Sequence, residues 1–232
     1  MSPSKPRRRL TAQVRKDSIA RAALPLFARK GLHGVTTREI AAASGVSEAL
    51  LFQHFPTKEA MFNAMLHQYT DVLDTGTDVI RRLSPPSTAG LVELVFRFVR
   101  QIVVREVKIG GDMMHFFYRS FIEDGVFARR FLAGIRDWRE YFEASLAAAR
   151  ARGDAATLET PGHNLFWFMQ HVATAACLIR LPEKPPVRYD GGIETAVEQM
   201  VLFILRGLGL SENALRSLAT PAAFAGWRRQ MK

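Results

Sequence analysis

Apolar side chains recur along this chain with the spacing of amphipathic helices, and glycine and proline interrupt the pattern at intervals. Positions three and four apart share one face of a helix, whereas strand residues alternate, so the pattern predicts helices and no convincing strand. Helices are expected at 11–30, 37–44, 47–54, from 58 onward, 88–108, 112–123, 126–152, 160–181, 192–209 and 211–219. The chain is therefore predicted to be all-α.

Individual segments refine this picture. Pro25 lies inside the first predicted helix, where it cannot donate a backbone hydrogen bond, so a kink is expected there; Gly31 is expected to end that helix. The 88–108 segment is apolar on more than one face, which predicts burial. A single stripe is expected along 126–152, formed by Phe127, Phe131, Ile135, Trp138, Phe142 and Leu146. The prolines of 84–87 predict a break between an N-terminal part and a larger second part.

Residues 35–55 carry the most informative pattern. Thr36 and Glu39 have the spacing of a capping box, which predicts a helix start. Gly45 suits a tight turn, and Ser47 can cap the next helix. Ile40 and Leu51 are placed to pack on each other where the two short helices cross. This arrangement predicts a helix-turn-helix, whose second helix enters the DNA major groove; any short helical hairpin is the alternative.

Charge favours contact with a polyanion. The net charge is +10, and residues 1–70, with 11 basic and 4 acidic side chains, carry +7 of it. Residues 1–10 are rich in Pro, Ser and cations, which predicts a disordered basic arm. Such an arm can lie along DNA, although a solvated tail is the alternative.

Five blocks in order and spacing resemble the N-terminal signature of the TetR family of transcriptional regulators. They are Phe27-Ala28-Arg29-Lys30-Gly31, Thr36-Thr37-Arg38-Glu39-Ile40-Ala41, Gly45-Val46-Ser47, Leu51-Phe52-Gln53-His54-Phe55 and Lys58-Glu59-Ala60-Met61-Phe62. The resemblance covers roughly residues 11–66. Beyond it, the chain matches the family only in length and helical character.

The resemblance implies which residues meet DNA. It places Thr36 and Thr37 at phosphates, Arg38 near the groove edge and Lys58 at a phosphate. The exposed face of the recognition helix would consist of Ser47, Glu48, Ala49, Leu50 and Gln53, with Phe52 and His54 near the backbone. Two positions depart from the usual pattern. Phe52 lacks a phenolic hydroxyl, so that phosphate hydrogen bond is expected to be absent, and Ala49 adds a methyl group that can meet a thymine methyl.

The second part is rich in aromatic side chains, and apolar pockets with a few polar groups are typical of ligand sites. The candidate pocket residues are His115, Phe116, Tyr118, Phe121, Trp138, Phe142, Trp167 and His171. Simple core packing is the alternative for each of them. The resemblance implies a small apolar or amphipathic effector in this part, and a homodimer formed through the helices near 162–181 and 192–209.

Other classes of protein lack support in the sequence. No phosphate-binding loop, dinucleotide-binding turn, nucleophile elbow or metal-ligand spacing occurs, so no enzyme activity, cofactor or metal is expected. No apolar run approaches a bilayer span, and the one cysteine, Cys177, cannot form an intrachain disulfide, which favours a cytoplasmic protein. A helical enzyme or carrier with a vestigial DNA motif and a structural DNA-coating protein remain as rivals.

Taken together, these patterns predict two domains. Residues 1–66 would form a three-helix DNA-binding domain, and residues 67–232 would bind the effector and dimerise. The expected function is a ligand-responsive regulator, a repressor by default, that binds a palindromic operator in double-stranded DNA.

Overall fold

The computed structural model describes residues 11–65, 83, 85–105, 112–123 and 125–231, and the regular structure of these residues is helical. The helices are α1 (Ala12–Gly34), α2 (Thr37–Ser44), α3 (Glu48–His54), α4 (58–65), α5 (Thr88–Arg100), α6 (Asp112–Ile122), α7 (Val126–Ala133), α8 (Arg136–Ala151), α9 (Gly162–Leu178), α10 (Gly192–Gly207), α11 (Glu212–Leu218) and α12 (Pro221–Gln230). A π-helical turn, Gln101–Arg105, follows α5. Within these ranges the only β-type pairing is an isolated bridge between Ala155 and Leu210. The all-α prediction is confirmed.

Hydroxyl side chains define many of the helix starts. At each of these positions a side-chain oxygen accepts a backbone N–H of the first turn, which satisfies a donor that has no partner within the helix. The capping residues are Thr11, Thr36, Ser47, Ser87, Ser211 and Thr220.

The first helix is interrupted at Gly31. This residue has φ +70°, and it is the position within α1 whose backbone angles are not helical, whereas Pro25 lies inside the helix. The guanidinium of Arg119 packs against Gly31, and a Cβ at Gly31 would lie 3.0 Å from the Nε atom of Arg119. Glycine is needed here both for its backbone angle and for this close approach. The regular helix is interrupted at Gly31, as the sequence predicts. The non-helical backbone angles lie at Gly31 and not at Pro25, where a kink was expected.

The single helix expected over 126–152 is wrong. The chain forms two helices, α7 and α8, separated by Gly134 and Ile135. The N–H of Gly134 bonds to the carbonyls of Arg130 and Phe131, which ends α7, and Ile135 has non-helical angles of φ −99° and ψ 19°. The periodic stripe did not reveal this break because Phe127, Trp138 and Phe142 are buried on either side of it.

Helix α5 runs through the centre of the larger part of the molecule. Its apolar side chains are buried on several faces, as expected, and it packs against α8 and α10. At its C-terminal end the helix passes into the π-helical turn, and the expected continuation over 106–108 lies outside the described residues, as do Gly110 and Gly111. Helix α12 was not predicted; its Phe224 stacks on Phe96 of α5 with ring centroids 5.0 Å apart.

Two apolar clusters hold the helices together. The C-terminal core joins α5 and the helices α8 to α12. The N-terminal core is formed by α1 to α4 together with side chains of α6 and α7 and with Cys177 of α9. The chain segment around residue 66, where the sequence places a domain boundary, and the proposed basic arm of residues 1–10 lie outside the described residues.

Candidate functional site

Helices α2 and α3 form a short hairpin with the local chemistry that its sequence predicts. The hydroxyl of Thr36 accepts the N–H of Glu39, and the Glu39 carboxylate accepts the N–H of Thr36, so the capping box is complete. Gly45 ends α2 with φ +64°, in the left-handed region that favours glycine. The hydroxyl of Ser47 then accepts the N–H of Leu50 and starts α3. Local sequence therefore determines where each of the two helices begins and ends.

Buried apolar side chains fix how the hairpin sits on α1. Ile40 of α2 and Leu51 of α3 are fully buried in the N-terminal core, and Ala41 is buried as well. Phe27 of α1 joins the same core and makes an edge-to-face contact with Phe62 of α4 at 5.2 Å. This packing leaves the opposite side of α3 free to face a partner.

Glu48 connects the starts of α2 and α3. Its carboxylate accepts a hydrogen bond of 3.0 Å from the Thr37 hydroxyl and one of 3.3 Å from the Nε atom of Arg38. The Arg38 side chain nevertheless remains 89% exposed. Glu48 thus orients Thr37, which the resemblance places at a phosphate, and Arg38, which it places near the groove edge, and its own carboxylate is engaged within the protein.

A second carboxylate, Glu39, stabilises the same region. Hydrogen bonding by the Lys30 ammonium, followed by the bonds from the backbone and hydroxyl of Thr36, lowers the pKa of Glu39 to about 2. The side chain is therefore ionised at neutral pH, at the N-terminal end of α2 where the helix dipole favours a negative charge. Sequence reasoning identified Glu39 as a cap but did not predict its pairing with Lys30 of α1.

The exposed surface of the hairpin contains most of the residues predicted to meet DNA. Thr36, Arg38, Ser47, Ala49, Phe52 and Gln53 are exposed, whereas Thr37, Glu48, Leu50, His54 and Lys58 are partly buried. The ammonium of Lys58 donates a hydrogen bond of 3.1 Å to the carbonyl of Val35, just before α2. The geometry offers a short helix whose exposed side chains are small or polar apart from Phe52, and a short exposed helix is the shape that reads a major groove.

The comparison with known families agrees with this geometry. Residues 19–65 match the family described as bacterial regulatory proteins, tetR family. These residues therefore form a tetR-family regulatory domain. The match covers α1 to α4, which is the region where the sequence signature lies.

Curated relatives match only part of this chain's length. The HTH-type transcriptional repressor KstR2 of Mycolicibacterium smegmatis is 28% identical over 111 residues, which is 44% of this chain and 54% of the relative. The nucleoid occlusion factor SlmA of Escherichia coli K12 is 36% identical over 77 residues, which is 33% of this chain and 39% of that protein. The matches thus span about half or less of these relatives.

Solved structures extend the likeness in fold to most of the chain. The crystal structure of AibR in complex with isovaleryl coenzyme A and operator DNA superposes with a TM-score of 0.60. That comparison covers 83% of this chain and 97% of AibR at 16% sequence identity. The TetR-type architecture, a helix-turn-helix domain followed by a helical domain, therefore describes this chain.

The eight residues proposed for the ligand pocket do not gather at one place. Trp138, Phe142 and Trp167 belong to the C-terminal core or pack against it. Phe116 and Tyr118 of α6 belong with the N-terminal core, where the Tyr118 hydroxyl donates to the carbonyl of Thr174 and burial raises its pKa. His115, Phe121 and His171 are exposed.

One cavity of roughly 310 Å³ lies between α7, α8 and α9. Trp167 is the member of the predicted set that lines it. The other lining residues are Arg129, Leu132, Ala133, Ile135, Arg136, Arg139 and Phe166. The sequence prediction did not include these arginines, because it rested on aromatic density; the signal was the recurrence of arginine at 129, 130, 136 and 139.

The described residues show neither a metal site nor a membrane-spanning helix. No group of three or more His, Cys, Asp or Glu side chains in the described ranges is arranged to hold a metal ion. Among the helices that the structure describes, none combines the length and the apolar character needed to cross a membrane.

Proposed function

We propose that this TetR-family chain is a ligand-responsive transcriptional regulator, with repression as its default output, which acts in the cytoplasm as a homodimer on a palindromic DNA operator. The observation that carries this proposal is the hairpin α2–α3, whose polar outer face is exposed while its caps and buried side chains hold it rigidly. Rigid presentation of a short helix is what direct readout of base edges requires.

The proposed dimer interface is the exposed side of α9 and α10. On α9, the exposed residues Asn164, Phe168, His171, Ala175 and Leu178 follow one another at helical spacing, so they form one face. On α10, Thr195, Gln199 and Phe203 do the same, and Phe203 is 68% exposed. Large apolar side chains concentrated on such faces are typical of protein interfaces. Two copies related by a twofold axis would bury them and would present two α3 helices to two half-sites.

A small-molecule effector is proposed because the second part of the chain contains a cavity and because a structural neighbour binds one. AibR is described in complex with isovaleryl coenzyme A and operator DNA. A structure of KstR2 of Mycobacterium tuberculosis, described as a ketosteroid transcriptional regulator, has the same fold with a TM-score of 0.60. Both proteins support an effector for this chain that is apolar or amphipathic.

The contacts between the two cores provide a route for coupling. Arg119 of α6 donates a hydrogen bond of 2.8 Å to the carbonyl of Arg29, near the end of α1. Leu132 of α7 packs against both apolar cores and also lines the cavity. A ligand that binds more tightly to one position of α6 and α7 would therefore favour one position of the helix-turn-helix. The affinity for DNA would change as a result.

The decisive experiment is selection of bound sites from random double-stranded DNA, repeated with candidate ligands. We expect an inverted repeat whose half-sites are separated by about one helical turn or a multiple of it. Binding without sequence preference and without a ligand response would instead support a DNA-coating protein. Turnover of a bound compound, together with unspecific DNA binding, would support an enzyme or carrier.

A further inference from the structure

The cavity between α7, α8 and α9 has two chemically different walls. The apolar wall consists of Leu132, Ile135, Phe166 and Trp167, and Phe166 is fully buried. The other wall contributes three guanidinium groups, from Arg129, Arg136 and Arg139, and no carboxylate lines the cavity. The volume of roughly 310 Å³ lies at the lower end of the range of about 300–1,000 Å³ that is typical of small-molecule sites.

Among the described residues, the arginine wall has one carboxylate within ion-pair distance, that of Glu143 at the limit of this range. The Nε atom of Arg139 is buried and has no hydrogen-bond partner, and the nearest carboxylate oxygen, Oε1 of Glu143, is 4.0 Å away, beyond hydrogen-bond distance. Among the described residues, Arg129 and Arg136 have no carboxylate within ion-pair distance. A buried N–H without an acceptor is unfavourable, and an anionic acceptor placed in the cavity would remove that cost.

The break at Gly134 and Ile135 adds to the positive potential. Helix α8 begins at Arg136, beside the cavity, and no side chain caps its N-terminus. The first N–H groups of a helix carry partial positive charge, which favours an anion at this position. The same break separates α7 from α8 and so opens the space that the cavity occupies.

From these features we infer that the cavity binds an amphipathic anion: an aliphatic chain of medium length that ends in a carboxylate or phosphate group. This inference rests on the proposed function and specifies the effector's chemical class. The anionic group lies against Arg129, Arg136 and Arg139, and the chain packs on Phe166 and Trp167. A neutral apolar molecule would leave the buried Nε atom of Arg139 without an acceptor, and a small inorganic anion would leave the apolar wall uncovered.

The test is a fluorescence titration of the full chain, because Trp167 lines the cavity and reports its occupancy. The probes are octanoate, octyl phosphate, 1-octanol and acetate. We expect octanoate or octyl phosphate to bind at least about tenfold more tightly than 1-octanol, and acetate not to bind measurably. The difference between octanoate and octyl phosphate identifies which anionic group the site prefers.

Two variants and a control locate the effect. In the double variant Arg136→Gln/Arg139→Gln, we expect the affinity for the preferred anion to fall by about tenfold to a hundredfold and the affinity for 1-octanol to stay unchanged. The control is Arg152→Gln, which removes one positive charge from an exposed arginine at the far end of α8, roughly 24 Å from Arg136, and is charge-matched to the single variant Arg129→Gln. If the double variant does not fold, Arg129→Gln, at an exposed side chain, carries the same test.

Equal affinities for the octyl anions and 1-octanol would overturn the inference, as would an equal loss of affinity in Arg152→Gln. Binding to the selected DNA is measured separately and without any ligand. A chain that recognises DNA specifically but does not discriminate between octanoate and 1-octanol refutes this inference alone. A chain that shows the predicted discrimination but no specific DNA binding refutes the proposed function alone.

Discussion

Gln53 and Lys58 are predicted to act differently on DNA, and the structure makes the difference measurable. Gln53 lies on the exposed face of α3, and within the described residues its side chain makes no hydrogen bond, so Gln53→Ala should leave the folded protein intact. A surface substitution of this kind changes the free energy of unfolding by about 0.5 kcal/mol at most. Any larger effect of Gln53→Ala on DNA binding therefore reports recognition and not folding.

The expected effect of Gln53→Ala follows from base chemistry. A glutamine that binds the N6 and N7 atoms of adenine discriminates against a wrong base by about 1–3 kcal/mol, or about 5–150-fold. In a symmetric dimer this loss occurs in each half-site. We expect preference at one position in each half-site to relax, while the dependence of binding on salt concentration stays nearly unchanged.

Lys58 is expected to give the opposite result. A phosphate contact carries no sequence information but releases condensed counterions, so removing the charge should weaken cognate and scrambled duplexes by similar factors and lower the salt slope by about one unit. Because the Lys58 ammonium also donates to the carbonyl of Val35, Lys58→Met, which keeps the aliphatic stem, is preferable to alanine. The lost hydrogen bond should itself cost about 0.5–1.5 kcal/mol of stability, which thermal unfolding measures separately.

The assay is a set of binding isotherms at several salt concentrations, on cognate and scrambled duplexes. Lys184→Met serves as the charge-matched control, because Lys184 is exposed in the segment between α9 and α10. Lys184→Met should leave both the sequence preference and the salt slope unchanged. The proposed docking of α2 and α3 on DNA is refuted if Lys58→Met alters sequence preference while Gln53→Ala alters only the salt slope.

Three further predictions follow from the described contacts. Glu39→Gln should lower the free energy of unfolding at neutral pH, measured by urea denaturation. The pKa of Glu39 is about 2 in the folded chain, and its ordinary value is 4.5. The loss of unfolding free energy should therefore be complete above pH 4.5 and disappear as the pH falls toward 2. Phe203→Glu should convert the dimer to monomer in light scattering, since an interface anchor contributes about 2 kcal/mol or more; an unchanged dimer would exclude this face of α10. Phe142→Ala should cost about 3–5 kcal/mol in unfolding free energy if Phe142 is a core residue, and a loss below about 1 kcal/mol would instead mark it as a wall of a solvated pocket.

The helix-turn-helix could be predicted from sequence because its determinants are local. The capping box of Thr36 and Glu39, the positive-φ turn at Gly45 and the cap at Ser47 each act within four residues, so residue types and spacing were sufficient to place α2 and α3. The exposed face of α3 follows in turn from helical periodicity. The all-α fold class could also be predicted from the sequence, because the spacing of apolar residues indicates which face of each helix is buried.

The arrangement of the second part depends on contacts between segments that are distant along the chain. An apolar stripe shows that Phe127, Phe142 and Trp138 are buried, but not which neighbours bury them, so it concealed the break at Gly134 and Ile135. Aromatic density likewise did not distinguish a core from a pocket wall. Only the packing of α7, α8 and α9 places three arginines around one cavity, and only the contact of α6 with α1 joins α6 to the N-terminal core. Sequence therefore determined the elements whose causes are local, and tertiary structure decided which side chains meet, because burial is set by partners that lie far apart in sequence.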